Sequence, residues 1–280
     1  MLKRMVIWII VIAAVLFAIL TAFLLINQDR MIFIPLDSFI TTPSKTGMNH
    51  EEIFLEVSPE ENIHAWYFPL SDSAPTILFC HGNAGNISYR LNAVNMFLNL
   101  GCSVLLFDYR GYGMSGGKPS EENVYADAEA ALGWLKSRGT SEDEIIVFGE
   151  SLGSAVAIEL AARHHELGGL IIKSAFTNLA EVGHTHFPYL PVSLICRYNF
   201  NSLDRVKYIA CPVIFSHSKE DELIPFRMGR SLFDTVTGSK TFVEITGGHN
   251  DRDYLSDENY HAALNEFIHL VEAKASHEDR

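Results

Sequence analysis

Apolar positions along the chain fall into two regimes. Met5 through Ile26 contains no charged residue. At about 1.5 Å per residue this run spans about 33 Å as a helix, enough to cross the hydrocarbon core of a bilayer. Beyond it, apolar residues come in short bursts. Glu51–Val57 and Ile63–Phe68 alternate and predict a leading antiparallel strand pair. Apolar runs at Thr76–Cys80, Ser103–Phe107, Ile145–Phe148 and Leu170–Lys173 are then interleaved with helix-like stretches at Ser88–Asn99, Glu121–Ser137 and Ser154–His164. Pro212–His217 and Thr241–Ile245 predict two further strands. Strands alternating with helices in this way predict an α/β fold with parallel pairing.

The N-terminal run reads as an uncleaved membrane anchor over residues 1–30. A cleavable signal peptide has a shorter apolar region, about 7–15 residues, and ends in small residues; this run ends in Phe23-Leu24-Leu25-Ile26. Lys3 and Arg4 precede it and Asn27-Gln28-Asp29-Arg30 follow. Basic residues prefer the cytoplasmic side, so the N-terminus is expected inside and the main domain outside, with Arg30 partly offsetting that bias. The lipid bilayer is thus one expected partner, through residues 5–26. The remainder, residues 31–275, suits one domain of an α/β fold.

The most specific local signal is Gly149-Glu150-Ser151-Leu152-Gly153, between the apolar run Ile145–Phe148 and the helix-like stretch from Ser154. Strand, G-x-S-x-G and helix together make a nucleophile elbow. The turn is so tight that side chains two residues either side of the serine would collide, and glycine has none. Ser151 is therefore expected to be strained and exposed at the sheet edge.

A serine nucleophile needs a base, and the base needs an orienting acid. With this elbow the chain order is Ser, then Asp or Glu, then His. Asp221 follows the strand ending at His217, and His249 follows the strand Thr241–Ile245 and the pair Gly247-Gly248. Both therefore sit at the strand ends where Ser151 lies, the edge at which open α/β sheets bind ligands. The chain has 12 histidines. His217 is expected to brace the Asp221 turn. His184 and His186 form an H-x-H pair without an evident third metal ligand, and His164, His165, His261, His269 and His277 read as solvated. Glu220 and Glu222 flank Asp221 and compete with it, but Asp221 is preferred by its position before Glu-Leu-Ile-Pro. Donors for a developing oxyanion are expected from the backbone amide of Leu152 and from the loop His81-Gly82-Asn83-Ala84-Gly85-Asn86, with Asn83 the chosen residue. Asp108 and Arg110 read as structural braces of their Gly-rich loop.

These residues together resemble the α/β-hydrolase superfamily, in particular its small membrane-anchored members, which are similar to the serine aminopeptidase and acyl-hydrolase branches. Five stretches carry the resemblance: His81-Gly82-Asn83 with Gly85-Asn86; Asp108 through Gly113 with Ser115-Gly116; Gly149 through Gly153; Pro212 through Pro225; and Gly248-His249-Asn250. They cover roughly residues 75 to 250 in the family's order. Where the family has glycine after the histidine of the Asp-bearing loop, this chain has Ser218. The resemblance implies a mostly parallel eight-stranded sheet with helices on both faces. It also implies a cap at about residues 176–208, read here as Val182–Phe200, whose aromatic and apolar side chains would suit an acyl chain. Substrate is not implied, because one fold hosts many chemistries.

Charge and cysteines narrow the picture further. A net charge of −13 argues against a nucleic-acid partner. Cys80 and Cys102 are expected at opposite ends of neighbouring strands, about 15 Å apart and too far to bridge; a Cys196–Cys211 disulfide stays open. Asn86-Ile87-Ser88 is a glycosylation sequon beside the expected oxyanion loop, where a glycan would obstruct the site, which tilts the source towards a bacterium. The expected protein is a membrane-tethered serine hydrolase cleaving an ester or thioester of a lipid or other hydrophobic acid, with no cofactor. A peptidase acting on short peptides and a non-catalytic binding protein of the same fold are the alternatives.

Overall fold

The structure is a computed structural model describing residues 1–71 and 73–278. The long apolar run forms one helix, α1 (Leu2–Ile32), exposed over almost its whole length. It fits a single-pass transmembrane anchor. It runs two residues past the expected anchor end at 30, and its last turns are not free. Leu24 and Gln28 are buried, and Phe33 directly after the helix is buried edge-on against the adjacent rings of Tyr198 and Phe200.

A two-residue strand, β1 (Ile34–Pro35), follows, then a one-turn helix α2 (Pro43–Thr46) and the hairpin β2 (Glu51–Ser58) and β3 (Glu61–Phe68). The chain continues as β4 (Thr76–Cys80), a short β5 (Ala84–Gly85), α3 (Leu91–Asn99), β6 (Ser103–Phe107), α4 (Glu121–Ser137) and β7 (Ile145–Glu150). After the serine come α5 (Leu152–Arg163) and β8 (Gly169–Lys173), then three short helices: α6 (Leu179–His186), α7 (Val192–Ile195) and α8 (Ser202–Arg205). The chain closes with β9 (Val213–Ser218), α9 (Phe226–Thr235), β10 (Lys240–Ile245) and α10 (Glu258–Glu278). The helix expected from Ser88 starts later: Ile87–Arg90 is a 3-10 turn capped by the Asn86 side chain, and the α-helix begins at Leu91.

The main sheet has eight strands in the order β10-β9-β8-β7-β4-β6-β3-β2. Only β3 runs against its neighbours. The central strands are apolar throughout because both faces are covered. Leu78, Leu105 and Val147 point to the core shared with α4, α5 and α9. Their neighbours Ile77, Val104 and Ile146 point to the opposite core, under α3 and α10. This is the α/β-hydrolase architecture, and it sets the ends of β4, β7, β9 and β10 along one sheet edge. All four cysteines are free thiols, so Cys196 and Cys211 are not joined.

Candidate active site

Ser151 sits between β7 and α5 with φ 53° and ψ −120°, a left-handed-side conformation that costs an L-residue of order 1–3 kcal/mol. Its neighbours hold it there. Its amide donates to the Lys173 carbonyl at 3.0 Å and its carbonyl accepts from Ser154. A Cβ on Gly149 would lie 2.4 Å from the Gly153 carbonyl oxygen, and one on Gly153 would lie 2.0 Å from that of Cys80. The crowding across the turn that the motif implies is present at Gly149, whereas Gly153 is demanded by the close approach of the start of α5 to the end of β4.

His249 and Asp221 arrive from the ends of β10 and β9. Ser151 Oγ lies 2.9 Å from His249 Nε2, and His249 Nδ1 lies 2.8 Å from Asp221 Oδ2. Asp221 is buried, and burial pushes its carboxyl up. Hydrogen bonds from His217, from His249 and from the Ile224 amide outweigh this and hold it well below the usual carboxylate range. His217 Nε2 faces two acceptors, the Ile224 carbonyl at 2.9 Å and Asp221 Oδ2 at 3.3 Å, so that nitrogen carries the proton. The histidine braces the acid's turn, as expected. Ser218 completes that turn without a left-handed φ: its Oγ accepts from the Glu220 amide, so glycine is not needed there.

The two acids that compete with Asp221 serve its partner instead. Glu220 accepts from the Gly247 amide and Glu222 from the His249 amide, both at 3.0 Å. They pin the loop that carries the imidazole, with Gly247 at φ 89° making the bend. Sequence reasoning weighed them only as rivals, because their targets lie 27 residues away.

The loop between β4 and β5 lies against the serine: a Cβ on Gly82 would sit 3.5 Å from Ser151 Cβ. The carbonyl of Asn83 accepts from the Tyr112 hydroxyl at 2.7 Å and from the Ile34 amide at 3.0 Å. Tyr109 donates to the His81 carbonyl at 2.9 Å. Among the described residues, no acceptor within the chain takes the Asn83 backbone amide, and Leu152 is the first residue of α5, where amides have no intrahelical acceptor. The Asp108–Gly113 loop is the clamp beneath. Asp108 accepts from the Ile87 amide, and Arg110 is tied to Asp127 at 2.7 Å.

The remaining expectations resolve simply. His186 Nε2 contacts the Leu223 carbonyl at 2.9 Å. His164 is not simply solvated but lies between Glu129 and Glu142, His261 on α10 is half-buried with its Nε2 shut off from solvent, and His277 lies outside the side chains described. Asn86 is fully buried, its amide donating to the Leu36 and Ser38 carbonyls, so the folded sequon cannot take a glycan and says nothing of compartment.

Two kinds of space flank Ser151. On one side lies a polar cavity of about 300 Å³ bounded by Arg90, Glu150, Lys173, Asn250, Asp251 and Arg252. Arg90 Nε lies 3.0 Å from Glu150. Burial opposes ionisation of Glu150, but the Arg90 and Lys173 charges keep its carboxyl below the usual range. Lys173, buried with its Nζ 4.4 Å from the Tyr254 ring centroid, is pushed down by that burial. On the other side lies an apolar groove bounded by Ile32, Phe176, Leu179, Val182 and Ile224.

A fold of this architecture, with an elbow serine at its edge, defines a class, and comparison with known proteins agrees. A family model described as serine aminopeptidase S33 matches residues 71–199. An uncharacterised protein of Mycobacterium tuberculosis is 35% identical over 86% of this chain and 87% of its own. Lysophosphatidylserine lipase ABHD12 of Xenopus tropicalis is 30% identical over 81% of this chain and 71% of its own. A solved esterase, Pf2001 of Pyrococcus furiosus, superposes with a TM-score of 0.69 at 20% identity, over 85% of this chain and 96% of its own. The chain belongs to the α/β-hydrolase superfamily. It is a hydrolase of that superfamily's lipase and esterase type, carrying an N-terminal apolar helix that fits a membrane anchor.

Proposed function

We propose that the protein is a membrane-tethered serine hydrolase that cleaves acyl esters of amphiphilic lipids, lysophospholipids foremost. The observation that carries this is the line from Ser151 Oγ through His249 to Asp221, with both links under 3 Å. Ser151 attacks the ester carbonyl carbon as His249 Nε2 takes its proton. Asp221 keeps the imidazole in the tautomer with hydrogen on Nδ1 and stabilises the imidazolium. The amides of Asn83 and Leu152 receive the oxyanion. Collapse expels the alcohol, protonated by His249, and leaves an acyl-serine. Water, deprotonated by the same histidine, then attacks and frees the acid.

The two-sided site supports an amphiphile. The apolar groove suits the acyl chain, and the cavity with Arg90, Lys173 and Arg252 suits a charged headgroup on the departing alcohol. Relatives named lysophosphatidylserine lipase point the same way. The family model's description as an aminopeptidase supports a second reading, hydrolysis of short peptides. Activity towards aminoacyl nitroanilides and none towards acyl esters would favour it. Lys3 and Arg4 before the charge-free run Met5–Ile26 support a non-cytoplasmic catalytic domain, which protease protection in sealed vesicles tests. The decisive experiment is labelling with a fluorophosphonate. Wild type should label on Ser151 and Ser151→Ala should not; a wild-type protein that folds but never labels ends the proposal.

A further inference from the structure

The apolar groove does not stop beside the serine. Met31, Ile32, Leu179 and Val182 bound the chamber of about 190 Å³ at Ser151 and also a second one, of about 160 Å³, running on between α1 and the cap. The outer chamber ends at Leu24, Phe187, Leu190 and Val192. Its one strongly polar wall residue is neutralised. Gln28 donates to the Ile195 carbonyl at 2.6 Å and accepts from the Arg197 amide at 2.8 Å. Both ends of its amide are thus taken by cap backbone, and the surface offered to the groove is apolar.

Leu24 lies inside the charge-free run Met5–Ile26. The outer end is therefore at the depth of the hydrocarbon edge. The serine lies near the level of Ile32, about 12 Å further along the helix axis. The cap segment that covers Leu24 carries its own signature of a wet–apolar boundary. Leu190 and Val192 pack on Leu24, while Tyr189 and Leu194 on either side of them are 93% and 85% exposed. Bare leucine and tyrosine beside a membrane span are residues that favour the interface.

We propose that the substrate's acyl chain reaches Ser151 sideways from the bilayer along this groove, so that α1 is a wall of the acyl site, with Tyr189 and Leu194 seating its mouth in the leaflet. This rests on the serine-hydrolase reading, and the test separates the two. Full-length wild-type protein in phosphatidylcholine nanodiscs is treated with a long-chain alkyl fluorophosphonate bearing a diazirine at the far end of its chain. It is then irradiated and mapped by mass spectrometry. Photo-adducts on residues 24–32 and 187–196 are expected. Adducts on Tyr89, Asn92 or Leu255, around the polar cavity, overturn the route. No adduct on Ser151 overturns the enzyme reading, and the route falls with it. A second arm blocks the groove with Val182→Trp. Each methylene denied an apolar wall costs about fourfold in kcat/KM, so blocking about four lowers the palmitate-to-butyrate ratio of nitrophenyl esters more than about a hundredfold. An unchanged ratio in a variant that still labels on Ser151 overturns the proposal; if the variant does not fold, the photo-adduct map decides alone.

Discussion

Gln28 is a sharp place to perturb the join between α1 and the segment after α6, which it meets at Ile195 and Arg197. Substituting leucine keeps the volume and removes both polar ends of the amide. The Ile195 carbonyl and the Arg197 amide then lose their partners in a site where Gln28 is only 8% exposed. Each stranded backbone group costs about 1–3 kcal/mol, so the cap's last turn loses at least about 2 kcal/mol of local stability, equivalent to about a thirtyfold rise in opening. Neighbouring contacts limit the damage. Asp29 still accepts from Arg197 and from the Tyr198 hydroxyl, both at 2.7 Å, but these bonds are exposed and worth little. The assay is amide hydrogen exchange in nanodiscs, read at residues 195–198. Gln28→Leu should exchange there about thirty times faster, while α5 stays unchanged. Asn27→Leu is the control, because Asn27 bonds only within its own helix, to the Phe23 carbonyl. Equal exchange in Gln28→Leu and wild type would refute the reasoning: the amide would then contribute nothing net to the cap.

Four further outcomes are expected. Asp221→Asn should lower ester turnover by about 10⁴-fold by admitting the wrong tautomer of His249, measured with a butyrate ester; a loss under tenfold would remove Asp221 from its role. The Asp221 carboxyl lies below its unfolded value, so its stabilisation is present above about pH 4 and fades as pH falls through the folded value. Denaturant titrations should therefore give a constant stability gap between wild type and Asp221→Asn from about pH 7 to 5, narrowing below about pH 4; a gap that widens on acidification is the wrong sign. Gly153→Ala places a methyl 2.0 Å from the Cys80 carbonyl oxygen and should cost more than about 3 kcal/mol. Gly133→Ala, with open space around it in α4, should instead raise the melting temperature slightly.

What the sequence makes legible here is what short-range rules govern. The elbow is readable because an apolar strand, two glycines and a helix follow one another within a few residues. Ser151 then constrains where its partners can stand, and chain order with strand ends leads to Asp221 and His249. The start of α3 is missed because Asn86 looks like part of a loop, whereas its side chain caps a 3-10 turn first. The roles of Glu220 and Glu222 are hidden for a different reason. They act on backbone amides of a loop brought close only by β9 pairing with β10. Most hidden of all is the seat of α1. A charge-free run announces a membrane span, but nothing in its composition says that Gln28 will meet Ile195, 167 residues later.

That hidden contact changes what the anchor is. A passive tether would leave the span through a flexible, polar or glycine-rich linker. Here the chain leaves α1 as Phe33-Ile34-Pro35, all of it committed to the fold. Phe33 is buried against Tyr198 and Phe200, and Ile34 and Pro35 pair in parallel with Ala84 and Gly85. Asn83 is held at both ends by this exit. Its side chain donates to the Ile32 carbonyl and its own carbonyl accepts from the Ile34 amide, each at 3.0 Å. The residue expected to offer an amide to the oxyanion is therefore positioned directly by the last residues of α1 and the residues after it. The end of α1, the Asn83 loop and the wall of the groove are thus joined by direct contacts, which a flexible leash could not provide.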